Sequence, residues 1–191
     1  MGSRAFRVCE VRHGPRYGHA MKPQVLVALA LAATPLGAAA QVVPAADYTD
    51  MWWNPSESGW GISIRQKPPA GGTRDTIFAI WFTYDPRTAD ATTAAGTDYV
   101  PLWLPMTEGT WVTPTTYSMR VYATQGTPFA PFWNPADFAI QEIGTATLAF
   151  SDANNGTFTY DIRPPANVAA NNPAYGLPAF AGVKAIQRQP F

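Results

Sequence analysis

Indoles and carboxylates are the side chains of this sequence best suited to chemistry. They are densest in Trp52-Trp53-Asn54-Pro55-Ser56-Glu57-Ser58-Gly59-Trp60-Gly61. Indole faces stack on sugar rings and aliphatic groups, and the ring N–H adds a polar handle. Asn54, Ser56, Glu57 and Ser58 place hydrogen-bonding groups beside them. The stretch therefore reads as a ligand surface with Trp52, Trp53, Asn54, Glu57 and Trp60 as its contacts. It reads equally as a lid plugging one end of a barrel, with Asn54-Pro55 as a turn and glycines allowing close backbone approach. The pattern assigns Trp60 to the core and at least one of Trp52 and Trp53 to an exposed or half-exposed position.

Catalytic chemistry is narrowed by what the sequence lacks. Residues 41–191 contain no histidine and no cysteine, since Cys9, His13 and His19 all precede them. Serine and threonine nucleophiles are thus without an imidazole base. Lys67 and Lys184, the two lysines of this part, lie in no Ser-x-x-Lys arrangement. Metal sites built on His or Cys are excluded, and no metal or cofactor is expected. Asp152-Ala153-Asn154-Asn155-Gly156 has the oxygen-rich alternation of a calcium loop but lacks its distal bidentate glutamate. Among the carboxylates, Glu57 and Glu108 lie near tryptophans, whose apolar surroundings raise a carboxyl pKa as a glycosidase acid requires. A carboxylate-based hydrolase on either residue is one reading, although nothing in the spacing pairs them.

The elements that must position these residues are strands. Prolines are spread along the chain and no helical periodicity follows residue 41, which leaves little room for long helices. Alternation predicts strands over 59–66, 76–84, 99–106, 110–123 (bent or split at Pro114), 139–150, 157–162 and 182–189, with 48–53 as a further one. Pro101 and Pro105 mark an edge or a bulge. Asn155-Gly156 signals a hairpin between the strands ending at Phe150 and beginning at Thr157. The expected fold is all-β, an antiparallel meander of seven or eight strands closing into a small closed or partly open barrel. A two-sheet sandwich is the alternative. Residues 67–75, 85–98, 124–137 and 163–181 are the connections, and the composition of the last predicts a mobile loop.

Residues 1–40 read as a signal region. Met21-Lys22 precedes the apolar run 25–36, and Ala38-x-Ala40 places cleavage before Gln41. Because Met21 onward already forms a complete signal, the start of translation is placed there. The apolar run is too short for a permanent bilayer anchor. Residues 41–191 then form a single β-domain, exported to the periplasm or secreted. Its eight basic and twelve acidic side chains give a net charge of −4, which argues against nucleic acid or an anionic membrane as partner. A terminal Phe191 raises the outer-membrane barrel, but Gln187, Gln189 and Pro190 break the alternation that lipid-facing strands need.

Three segments carry a family resemblance. They are Tyr48 to Gly61 with the strand Ile77 to Asp85, then Tyr122-Ala-Thr-Gln-Gly126-Thr-Pro-Phe129, then Gly144 to Tyr160 with the tail from Lys184 to Phe191. Together they resemble a family of bacterial secreted β-domains with a Trp-Trp-Asn-Pro-x-Glu-Ser-Gly-Trp-Gly signature. The resemblance covers most of 48–191 and implies export and β-structure, without an activity. Residues 67–75, 85–98 and 163–181 depart from that family's compactness as enlarged loops, a second candidate surface. The expected function is an exported, non-enzymatic binding or accessory module for a glycan or another extracellular polymer. The alternatives are the hydrolase and a carrier of a small apolar ligand inside the barrel.

Overall fold

Alternating apolar and polar side chains build eight antiparallel strands that follow one another in sequence order around a closed barrel. They are β1 (Asp50–Trp53), β2 (Gly61–Lys67), β3 (Thr76–Tyr84), β4 (Pro101–Thr113), β5 (Thr116–Gln125), β6 (Ala139–Phe150), β7 (Asn155–Ile162) and β8 (Phe180–Arg188). The computed structural model describes residues 42–68, 75–88, 99–127 and 132–191, so residues 1–41, with the expected signal region, and parts of three connections lie outside the described residues. Two 3₁₀ turns, Pro86–Thr88 and Pro135–Asp137, are the helical elements among them. The all-β meander is thus closed, and the sandwich is not adopted.

Inward-facing residues fill the barrel, as in other small barrels. Trp52, Ile62, Ala79, Leu104, Met106, Val121, Leu148 and Phe158 are each fully buried. At the end where β1 begins, Tyr48 stacks on Phe150 with ring centroids 3.7 Å apart, and Trp52 and Trp111 pack around them. The outward positions of β5, β6 and β7 carry Ser118, Arg120, Thr145, Thr147, Thr157, Thr159 and Asp161. Each large side chain removed from water in this core contributes about 1.5–3 kcal/mol.

Closure falls to the shortest strand. β1 meets β2 at three positions but β8 only at Trp52↔Arg188 and Trp53↔Gln187. Arg188 reinforces this seam: its guanidinium lies 5.2 Å from the Trp52 ring centre and donates to Asp50, to the carbonyls of Asp47 and Thr49, and to that of Ala153.

Three local features differ from the sequence-based expectations, while Pro101 and Pro105 take the edge-like setting expected of them. Residues 101–113 form one continuous strand, which absorbs its irregularity as a bulge between Thr107 and Thr110, with Glu108 at φ 52. Pro114 sits in the turn to β5. Pro101 and Pro105 pair with β3 only, since β4 joins β5 from Met106 onward, so a locally unpaired side accommodates them. The 150–155 hairpin forms, but its turn is 151–154 and Asn155 and Gly156 already belong to β7. Asp152 decides this, because its carboxylate accepts from the Asn154 and Asn155 backbone N–H groups and the Asn155 amide. Finally, residues 163–179 are tied down. Ala174 and Leu177 enter the core, Arg87 donates to the carbonyls of Pro173 and Tyr175, and Gln125 donates to that of Asn171.

Candidate functional site

A cleft of about 230 Å³ opens in the barrel wall where β1 stops short. After Trp53 the chain leaves the sheet as the loop 54–60 and re-enters it at Gly61, opposite Phe82 on β3. The part of β8 from Phe180 to Ile186 therefore pairs with β7 on one side and faces this loop on the other. Into the gap project Glu57 and Trp60 from the loop, Trp81, Thr83 and Tyr84 from β3, Phe158 and Tyr160 from β7, and Phe180 and Lys184 from β8.

The tryptophan-rich motif builds the loop that borders it. Trp52 is its buried anchor, 0% exposed, with its indole N–H given to the Tyr48 carbonyl. Asn54 starts the turn: its side chain accepts from the Ser56 N–H and its carbonyl from the Glu57 N–H. Gly59 turns the chain at φ 107, a conformation that costs glycine little. Glu57 and Trp60 are presented as a result. Trp60 Nε1 donates to Glu57 Oε2 at 3.2 Å, and Lys184 Nζ donates to the same oxygen at 2.8 Å.

Of the five expected contact residues, the structure thus brings Glu57 and Trp60 together at the cleft. Trp52 is enclosed in the core, where no external ligand reaches it. Trp53 is half-buried, as expected of one of the pair, but it alternates with Trp52 and so points out of the barrel. Asn54 acts on the backbone of its own turn. Trp60 is half-buried against the core rather than within it.

Aromatic walls and a charged lip define the cleft. Trp81 meets Phe158 edge-to-face at 5.0 Å and lies 4.9 Å from Tyr160 and 6.2 Å from Phe180, while Trp60 lies 6.3 Å from Phe158. Trp81 Nε1 is the one buried side-chain nitrogen or oxygen among the described residues without a hydrogen-bond partner; its surroundings are ring faces and edges, a weak substitute for an acceptor. Gly182 makes room for Tyr160, since a β-carbon there would stand 2.6 Å from the phenol oxygen. At the lip, Lys184 and Glu57 keep 36% and 40% of their side chains exposed. The Lys184 hydrogen bond, helped by that of Trp60, holds the Glu57 carboxyl below its ordinary value, and Glu57 in turn raises the Lys184 ammonium.

Trp81, Tyr160, Phe180 and Lys184 line the cleft without having been expected as site residues from the sequence. One signal was available for the last: Phe180, Gly182, Lys184 and Ile186 share one face of β8, and a lysine on an otherwise apolar face marks an opening. Glu108 lies elsewhere, on the outer wall, accepting from the Tyr122 hydroxyl at 2.8 Å and standing 3.7 Å from Arg120. Among the described residues no cluster of three His, Cys, Asp or Glu side chains is placed to hold a metal ion. No protein-family model, curated protein or solved structure matches this chain.

Proposed function

We propose that this chain is an exported, non-enzymatic binding module that takes a ring-bearing unit of an extracellular polymer, a glycan foremost, into the cleft beside β8. One observation carries the reading. Half-buried aromatic side chains, Trp60, Tyr160 and Phe180, converge on a lip where Glu57 and Lys184 retain unspent hydrogen-bonding capacity. Apolar walls with a few convergent polar groups are the make-up of a small-molecule site. The cleft volume, below the ~300–1,000 Å³ of pockets for drug-sized ligands, suits one ring rather than a length of chain. Export rests on the signal-like 21–40 segment and on the resemblance to secreted β-domains.

The competing readings draw less support. A hydrolytic acid needs a raised carboxyl, whereas Glu57 is held ionised by Lys184, and Glu108 has a separate set of partners on β5. A carrier inside the barrel needs an empty lumen, whereas the inward side chains fill it with Trp52, Phe158 and the stacked Tyr48–Phe150 pair.

Affinity electrophoresis of residues 41–191 through gels containing soluble extracellular polysaccharides tests the proposal. At least one neutral polysaccharide should retard the protein, and Trp60→Ala should abolish the retardation while near-ultraviolet circular dichroism still reports a folded barrel. Retardation unchanged in Trp60→Ala would move the site away from the cleft; no retardation by any polysaccharide would remove the glycan reading.

A further inference from the structure

We infer that the cleft selects a neutral pyranose through two adjacent ring hydroxyls, one donating to the second carboxylate oxygen of Glu57 and the other accepting from the ammonium of Lys184. The inference rests on the glycan reading above and names the part of the sugar that is read.

It follows from counting donors and acceptors at the lip. Both hydrogen bonds that reach Glu57, from Trp60 at 3.2 Å and from Lys184 at 2.8 Å, end on Oε2. Oε1 receives none. An ammonium carries three N–H donors, and Lys184 directs one of them to Glu57, so two remain. An unfilled acceptor and unfilled donors thus stand side by side, fixed relative to each other by the ion pair. A hydroxyl is both donor and acceptor. Two hydroxyls on neighbouring ring carbons present one of each at matching separation, and binding them leaves the ion pair intact. A single hydroxyl fills only half of the arrangement.

Charge narrows the class further. Glu57 and Lys184 cancel each other. An anionic sugar would bring its carboxylate against Glu57, in a domain whose 41–191 part carries a net charge of −4; a cationic sugar would compete with Lys184. Around the lip, Trp60 and Phe180 are half-buried and Tyr84 is 48% exposed. They supply ring faces against which the C–H face of a pyranose packs. Tyr160, whose phenol oxygen lies over Gly182, adds a third polar point on the floor.

Two-dimensional NMR titration with methyl glycosides of glucose, galactose and mannose tests this. Each has adjacent hydroxyls at positions 2, 3 and 4, whereas methyl 3-deoxy-glucoside has no adjacent pair. At least one parent glycoside should move the indole N–H signals of Trp60 and Trp81. The 3-deoxy compound and methyl glucuronide should bind at least tenfold more weakly than methyl glucoside or not at all. Glu57→Gln and Lys184→Met should each weaken the parent glycoside about tenfold, with the Trp52 and Trp111 indole signals unmoved as a check on folding. Equal binding of the 3-deoxy compound, or tighter binding of the glucuronide, would overturn the inference and leave the glycan reading standing. No shift with any of the three parents would overturn it too, and the gel experiment then tells whether glycan binding itself survives.

Discussion

Within the tryptophan-rich motif, neighbouring residues do unlike work, and single substitutions separate them. Trp52 is enclosed and gives its N–H to Tyr48, so Trp52→Ala should cost about 3–5 kcal/mol in a denaturant melt. That is a large share of the ~5–15 kcal/mol that holds a domain together. Trp60 covers the cleft from one side, and Trp60→Ala should cost only about 1–3 kcal/mol while removing ligand-induced fluorescence change. Equal losses at both positions would mean that the motif is structural throughout. The acid dependence of binding follows from Glu57, which faces Lys184 on β8, Tyr160 on β7 and the Trp60 N–H. A depressed carboxyl keeps its charge as pH falls past the ordinary value of 4.5 and loses it below. Affinity should therefore be flat through neutral pH and fade only in strong acid. Fading near pH 6 would implicate a different group. The presence of Glu57 and Trp60 in one motif made two residues of this site legible in the sequence, because the turn at Asn54 acts over a few residues. Lys184 was not, because it meets Glu57 across 127 positions and strand pairing alone brings it there.

At the level of elements, the long link 163–179 depends on Arg87. Burial alone pushes the Asp85 carboxyl up, but the side-chain and backbone hydrogen bonds from Arg87 outweigh it and hold the carboxyl below 3.8. Arg87 then reaches across to the carbonyls of Pro173 and Tyr175. Removing a charged donor from buried or half-buried partners costs about 1.5–3 kcal/mol, so Arg87→Ala should destabilise by that amount and speed hydrogen exchange within 163–179. Unchanged exchange there would show that Ala174 and Leu177 hold the link without it. The sign for pH is that of a lowered carboxyl: this stabilisation is present above the ordinary value and lost as pH falls through the depressed one. Composition alone read this link as loose, since alanine, asparagine and proline carry no periodicity; what anchors it are two buried apolar residues, Ala174 and Leu177, and a contact made 86 positions away. The hairpin at 151–154 was legible in its position but not its register, because Asp152 competes for the backbone N–H groups that a two-residue Asn-Gly turn would leave exposed.

The described residues form a single sheet rolled shut, and its strands were readable because alternation is local. Closure was expected from the run of evenly spaced strands, and the four residues of β1, within the expected strand 48–53, achieve it. Circular dichroism should show β-structure with strong aromatic bands, and helix well under the ~30–35% of an average globular protein. Sealing the barrel joins Asp50 to Arg188 across 138 positions. A chain that stops before β8 has two raw sheet edges, on β1 and on β7, and no way to satisfy them internally. Pairing at such separation is slow to be rewarded, because the loop entropy must be met before the contact forms. β8 is therefore the latch on the seven strands before it. A chain truncated before Phe180 should stay unfolded or aggregate instead of forming a seven-stranded remnant, as size-exclusion chromatography would show. A polypeptide with this wiring stays open until β8 emerges, which makes the order of residues along the chain a timer as well as a blueprint.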